Sequence, residues 1–192
     1  IKELSTLIDS STLYPVPAID TVYFPNTGIM SYWSSTPVYG NPSRALIVSF
    51  RFGDIRIDYK IYHLYVRAVR GNQCSSSGNF IDNGDGTITD TDTGLMWQQT
   101  TAPDTYYTWE QALAYCEDLT LADYNDWRLP NRNELQSIVD YDRDPPINPI
   151  FSGGSYHTWS STTLAFHPHQ AWIVYFGSGS LRGEVNSTYK SG

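Results

Sequence analysis

The chain has 192 residues, with 12 Lys+Arg against 20 Asp+Glu and a formal net charge of −8, which excludes a nucleic-acid binder because phosphate contacts need clustered Lys and Arg. No apolar run reaches the roughly 20 residues of a membrane-spanning helix, and Ile1-Lys2-Glu3-Leu4 does not read as a signal peptide. Hydrophobic residues make up 40% of the chain, enough for a core, so a disordered polymer is excluded as well.

In chain order, Leu4, Leu7 and Ile8 form the apolar face of a short opening helix. Trp33-Ser34-Ser35-Thr36 then precedes strands predicted over 45–52, 55–61 and 65–69. The segments 79–82 and 87–90 flank Asn83-Gly84-Asp85-Gly86, a strong hairpin signal. Residues 93–97 read as a turn into a buried strand ending at Trp97. Thr108 and Gln111 form a capping box, followed by Trp109, Ala112, Leu113, Cys116 and Leu119 on one helical face. A second helix follows Pro130, with Asn131 as its cap, Glu134 at the third helical position, and Leu135, Ile138 and Val139 facing the core. After Trp159-Ser160-Ser161-Thr162 comes a further strand at 171–176. Short helices followed by small antiparallel sheets make an α+β protein, not a parallel α/β one.

The chain repeats itself. Trp33 and Trp159 are 126 positions apart (159 − 33), and the same offset carries Ala45 onto Ala171, Ile47-Val48 onto Ile173-Val174, Phe50 onto Phe176 and Gly53 onto Gly179. Upstream, Glu3-Leu4 matches Glu134-Leu135 at an offset of 131 (134 − 3). Residues 1–72 therefore read as the C-terminal half of a first repeat. Residues 73–192 read as a second repeat, nearly complete but lacking its closing strand. The expectation is a piece of a longer tandem array, or a subunit whose edges are completed by other copies joined head-to-tail into a fibre.

The run Phe80–Asp90, Thr93-Gly94-Leu95-Met96-Trp97, Asp126-Trp127-Arg128-Leu129-Pro130, Glu134-Leu135 and Trp159-Ser160-Ser161-Thr162 resembles the Lcl C-terminal domain family, named for a bacterial collagen-like adhesin. The closing run Val66-Arg67-Ala68-Val69-Arg70 is similar to that family's final strand. The resemblance implies a fold related to the formylglycine-generating-enzyme branch of the C-type-lectin-like fold. It also implies secreted or surface-attached bacterial proteins, some of which adhere to polysaccharides, including sulfated ones. In the family, the cysteine matching Cys116 often pairs with one in the final strand; here that position is Ala68, so Cys116 is either unpaired or bonded to Cys74, the pairing we favour. The acidic balance argues against carrying over the sulfated ligand.

Candidate sites were weighed against simpler roles. Asp82, Asp85, Asp90 and Asp92 suggest calcium, but an EF-type loop needs oxygens at positions 1, 3 and 5, and counting from Asp82 two of these are Gly84 and Gly86. A hairpin turn is the expected role. The acidic run Asp140, Asp142 and Asp144 is expected to be a solvated loop, with a bound cation or basic partner as the alternative. No cofactor is expected, calcium being the single candidate. Trp33, Trp97, Trp127 and Trp159 are expected as core anchors, with Arg128 in a partly buried ion pair with Asp126. His167-Pro168-His169, with His157 nearby in sequence, suggests zinc, but structural zinc wants four suitably spaced ligands and the matching positions are Asn41-Pro42-Ser43, so 167–169 is expected as an exposed loop.

No Gly-x-Ser-x-Gly elbow, Cys/His pair or phosphate-binding glycine loop occurs. The two active-site cysteines that the formylglycine-generating enzyme carries near its end have no counterpart here. The expectation is a non-enzymatic extracellular module, adhesive or structural. Its partners are other copies, adjacent repeats or polysaccharide. A carbohydrate-binding role predicts an exposed groove lined by Tyr or Trp, whereas a polysaccharide-acting enzyme predicts converging carboxylates.

Overall fold

The structure, a computed structural model, describes residues 1–12, 15–71, 78–102, 106–152, 157–165, 167–176 and, as backbone, 180–185. It is a mixed α and β protein of short helices and small antiparallel sheets. A four-residue helix α1 (Lys2–Ser5) opens the chain, and a first sheet follows with β1 (Ser31–Val38), β2 (Asn41–Ser49) and β3 (Asp54–Tyr59) in that order. The second sheet is β4 (Phe80–Asp82), β5 (Thr87–Asp90) and β6 (Met96–Gln98). Helices α2 (Trp109–Asp118) and α3 (Arg132–Ser137) lead to a third sheet of β7 (His157–Leu164), β8 (His167–Tyr175) and β9 (Ser180–Val185). Among the described residues no helix is long and apolar enough to cross a membrane.

The helix starts follow from local chemistry. Thr108 accepts from the Gln111 amide while the Gln111 side chain accepts from Thr108 N, and Asn131 and Glu134 do the same for α3. Each box satisfies backbone donors that a helix start otherwise leaves open. The hairpin turns where expected, with Gly84 at a φ of +75°, a conformation that costs an L side chain energy.

The first and third sheets share one register. Trp33 faces Ile47 and Pro37 faces Ala45 across an interrupted ladder, and Trp159 faces Ile173 and Thr163 faces Ala171 across the same interruption. The repeated Trp-Ser-Ser-Thr motif has a task there. Ser34 Oγ donates to Leu46 O at 2.7 Å and Ser160 Oγ to Trp172 O at 2.8 Å, both within the bulge. Thr36 Oγ1 accepts from the Ile1 amino group at 2.8 Å, and Thr162 Oγ1 from Arg132 N at 3.1 Å. In both cases a strand hydroxyl fixes the start of a helix.

The two sheets do not stand apart. Tyr32, Leu46, Val48, Phe50 and Ile55 from the first half cluster with Leu135, Val139, Trp172, Val174 and Phe176 from the second in one buried core. Backbones of β3 and β9 lie side by side, and α3 packs on β7 and β8.

Three expectations need correction. The closing segment 65–69 is not a strand: among the described residues only its Tyr65 bridges, parallel to Tyr32. The strand ending near Trp97 is a half-exposed edge, not buried, because β6 pairs on one side only. His167 and His169 lie in β8 rather than in a loop, as Asn41 and Ser43 lie in β2.

Candidate binding cleft

An open hollow of about 500 Å³ runs along one face of α2. Its walls are Tyr106, Tyr107, Tyr115 and Leu119, with Gln111, Asp118 and Thr120 supplying polar atoms. Tyr106 is 91% exposed. The Tyr107 and Tyr115 rings meet at 5.6 Å, tilted by 46°. Tyr115 Oη accepts from Gln98 Nε2 at 2.9 Å, which fixes that ring from the neighbouring sheet. A volume in this range, with aromatic walls and few polar groups, suits a small ligand or one or two units of a polymer.

Two indoles hold the cleft in place. Trp159 Nε1 donates to Tyr107 O at 3.0 Å, and Trp109 Nε1 donates to Ser160 O at 2.8 Å. Strand β7 and the start of α2 are thereby cross-tied, which orients the tyrosine pair. Trp159 is half-buried and acts as a positioning residue, a more particular role than the core anchor the sequence suggests.

Trp33, Trp97 and Trp127 are also only half-buried. Trp33 of β1 pairs with Ile47 of β2, Trp97 meets Phe151 edge-on at 6.5 Å, and Trp127 donates to Leu121 O at 3.4 Å. The fully enclosed tryptophan is Trp172, which pattern reading passes over because it sits in an apolar strand run. Arg128 does not pair with Asp126. Its guanidinium makes a two-pronged bond to Glu134 at 2.7 and 2.6 Å, because the α3 capping box already holds that carboxylate beside it. The Arg128 hydrogen bonds hold the Glu134 carboxyl below its ordinary value.

The carboxylates weighed for calcium serve turns. Asp82 accepts from Gly84 N and Gln99 Nε2, and Asp85 accepts from both the amide and the hydroxyl of Thr87. The Thr87 hydroxyl bond holds the Asp85 carboxyl below its usual value. Asp90, 2% exposed, accepts from Asp92 N and from Thr93 N and Oγ1. The acidic run is not wholly a solvated loop: Asp140 is 3% exposed, pairs with Arg143 Nε at 2.7 Å and accepts from the Asp142 amide, while Asp142 and Asp144 are exposed. Among the described residues no three His, Cys, Asp or Glu side chains converge as a metal site. His157 stacks on Tyr175 at one end of the β7–β8 ladder, whereas His167 lies at the other.

Cys116 is a free, half-buried thiol on α2, its pKa pushed up by burial and then by Glu117. Cys74, its expected partner, lies outside the described residues.

One feature went unread in the sequence. Arg132 is 2% exposed and donates to Gly53 O at 3.0 Å, with its guanidinium 5.0 Å from the Trp172 ring. Burial lowers its pKa to about 10 against the raising influence of Asp54 and Asp9, so it stays charged at neutral pH. Asp54 is pushed the other way: burial raises its pKa despite Arg56 at 2.7 Å.

A family model described as the Lcl C-terminal domain matches residues 1–70 and 86–191. No curated protein and no solved structure matches the chain.

Proposed function

Because the chain belongs to the Lcl C-terminal domain family, we propose that it is a non-enzymatic, extracellular adhesive module that binds neutral polysaccharide in the tyrosine-walled cleft. The cleft itself carries this reading. The apolar face of a sugar ring packs on tyrosine faces, and tyrosine offers contact area at a small entropy cost. Among the described residues the lining holds one carboxylate, Asp118, and no Lys or Arg. The Asp118 carboxylate can accept from a sugar hydroxyl. Between Trp97 and Trp127 the chain has six Asp/Glu and no Lys/Arg, so a sulfated chain meets repulsion there. A surface or secreted location belongs to the same reading, as does a C-type-lectin-like fold built in tandem copies. The matching registers of the first and third sheets, and the short helices packed on β7 and β8, support that fold.

Titration of the chain with neutral oligosaccharides and with heparin tests the reading. Neutral sugars are expected to bind and heparin not. Tyr106→Ala is expected to weaken binding about tenfold, since a lost stacking ring removes about 1.4 kcal/mol. Absence of any neutral ligand, or affinity indifferent to Tyr106, overturns the proposal.

A further inference from the structure

The segment after β3 is apolar and open to solvent. Ile61 is 80% exposed, Val66 74% and Val69 78%, and Tyr62 and Tyr65 are more than half exposed. Its backbone is tied to the body through Tyr65, whose amide donates to Ser31 O and whose carbonyl accepts from Trp33 N. Large apolar side chains exposed this densely along one run of sequence offer an interaction face. Lys60 and Arg70 bound the strip, and both are exposed.

Charge separates along the chain. Residues 1–72 hold seven Lys/Arg and five Asp/Glu, a net of +2 (7 − 5), whereas residues 73–192 hold five and fifteen, a net of −10 (5 − 15). The negative charge is dense at 117–126, where Glu117, Asp118, Asp123 and Asp126 are all exposed beside a half-exposed Tyr124.

We propose that the strip is a docking face for a second copy of this chain, with the acidic 117–126 surface of one copy seated against the basic-edged apolar strip of the next. This inference does not rest on the glycan reading. The two surfaces differ, so the contact is heterologous. Each copy keeps one free surface of each kind, and association continues unless the rotation closes a ring. At physiological salt the screening length is about 8 Å, so neighbouring patches, not the two net charges, govern the encounter.

Sedimentation of the whole chain across concentration and salt tests the proposal. Species beyond a dimer are expected, growing with concentration and dissociating as salt is raised to about 1 M, where the screening length falls to about 3 Å. Lys60→Glu with Arg70→Glu, and separately Glu117→Lys with Asp126→Lys, are each expected to weaken association about tenfold or more. Mixing the two double variants is expected to restore it, because each supplies the charge the other reversed. That recovery also establishes that both variants fold. A chain that stays monomeric at all concentrations overturns the proposal. So does a closed two-fold dimer, association indifferent to both reversals, or a mixture that stays dissociated.

Discussion

Arg132 carries a charged group into the interior, and its surroundings explain why that is tolerated. One guanidinium nitrogen has the Gly53 carbonyl, the plane lies over Trp172, and Asp54 and Asp9 supply compensating charge. Arg128 and Glu134 show the exposed counterpart, a two-pronged pair whose Arg side chain is 57% accessible, so solvent screens much of its strength. Its pH dependence still has a definite sign. The folded Glu134 carboxyl titrates below its ordinary 4.5, so the pair's contribution is complete above that value and is lost as pH falls through the folded pKa. Glu134→Gln is therefore expected to flatten the fall of stability between pH 5 and pH 3, as measured by urea unfolding across pH. An unchanged slope would show that the pair contributes nothing.

At the level of elements, the turn between β2 and β3 is the most constrained. Gly53 has a φ of +66°, and a Cβ there would lie 3.2 Å from Ile8 Cγ2 and 3.3 Å from Ala18 Cβ. Its carbonyl is also the acceptor for Arg132. Gly53→Ala is expected to cost about 1–2 kcal/mol from the left-handed backbone alone. For a chain of this size that lowers the melting temperature by about 2–4 °C per kcal/mol, read by thermal unfolding. The helices and the β4–β5 hairpin were legible in the sequence because their determinants lie within a few residues. The Thr108 and Asn131 boxes are closed by partners three positions on, and the Asn83–Gly86 turn is closed by Thr87. Segment 65–69 reads as a strand in sequence but pairs only at Tyr65, because a run of residues does not itself say whether a neighbouring edge exists to pair with it.

For the whole molecule, the informative feature is the shared core. Phe50 of the first half and Trp172 of the second belong to one buried cluster, and Arg132 bonds across the halves. The halves are therefore expected to unfold together. Phe50→Ala and Trp172→Ala should each cost about 3–5 kcal/mol and lower the same single calorimetric transition. Two separable transitions, each sensitive to one substitution, would show that the halves fold independently. The cleft belongs to this scale too. Trp159 and Trp109 were conspicuous in the sequence, but their bonds to Tyr107 and Ser160 span 52 and 51 positions.

By itself the sequence determined the family, the α+β class, both helix starts, the hairpin and the offset of 126 that the two sheet registers reproduce. These rest on bonds between near neighbours, or on side-chain patterns that recur at a fixed offset along the chain. Tertiary structure alone decided that residues from the two halves of the chain share a core, that Arg132 is buried 79 positions from its carbonyl partner, and that Tyr106, Tyr107 and Tyr115 form a wall. Each of those depends on how separate elements pack, and packing contacts between distant residues leave no local spacing to read.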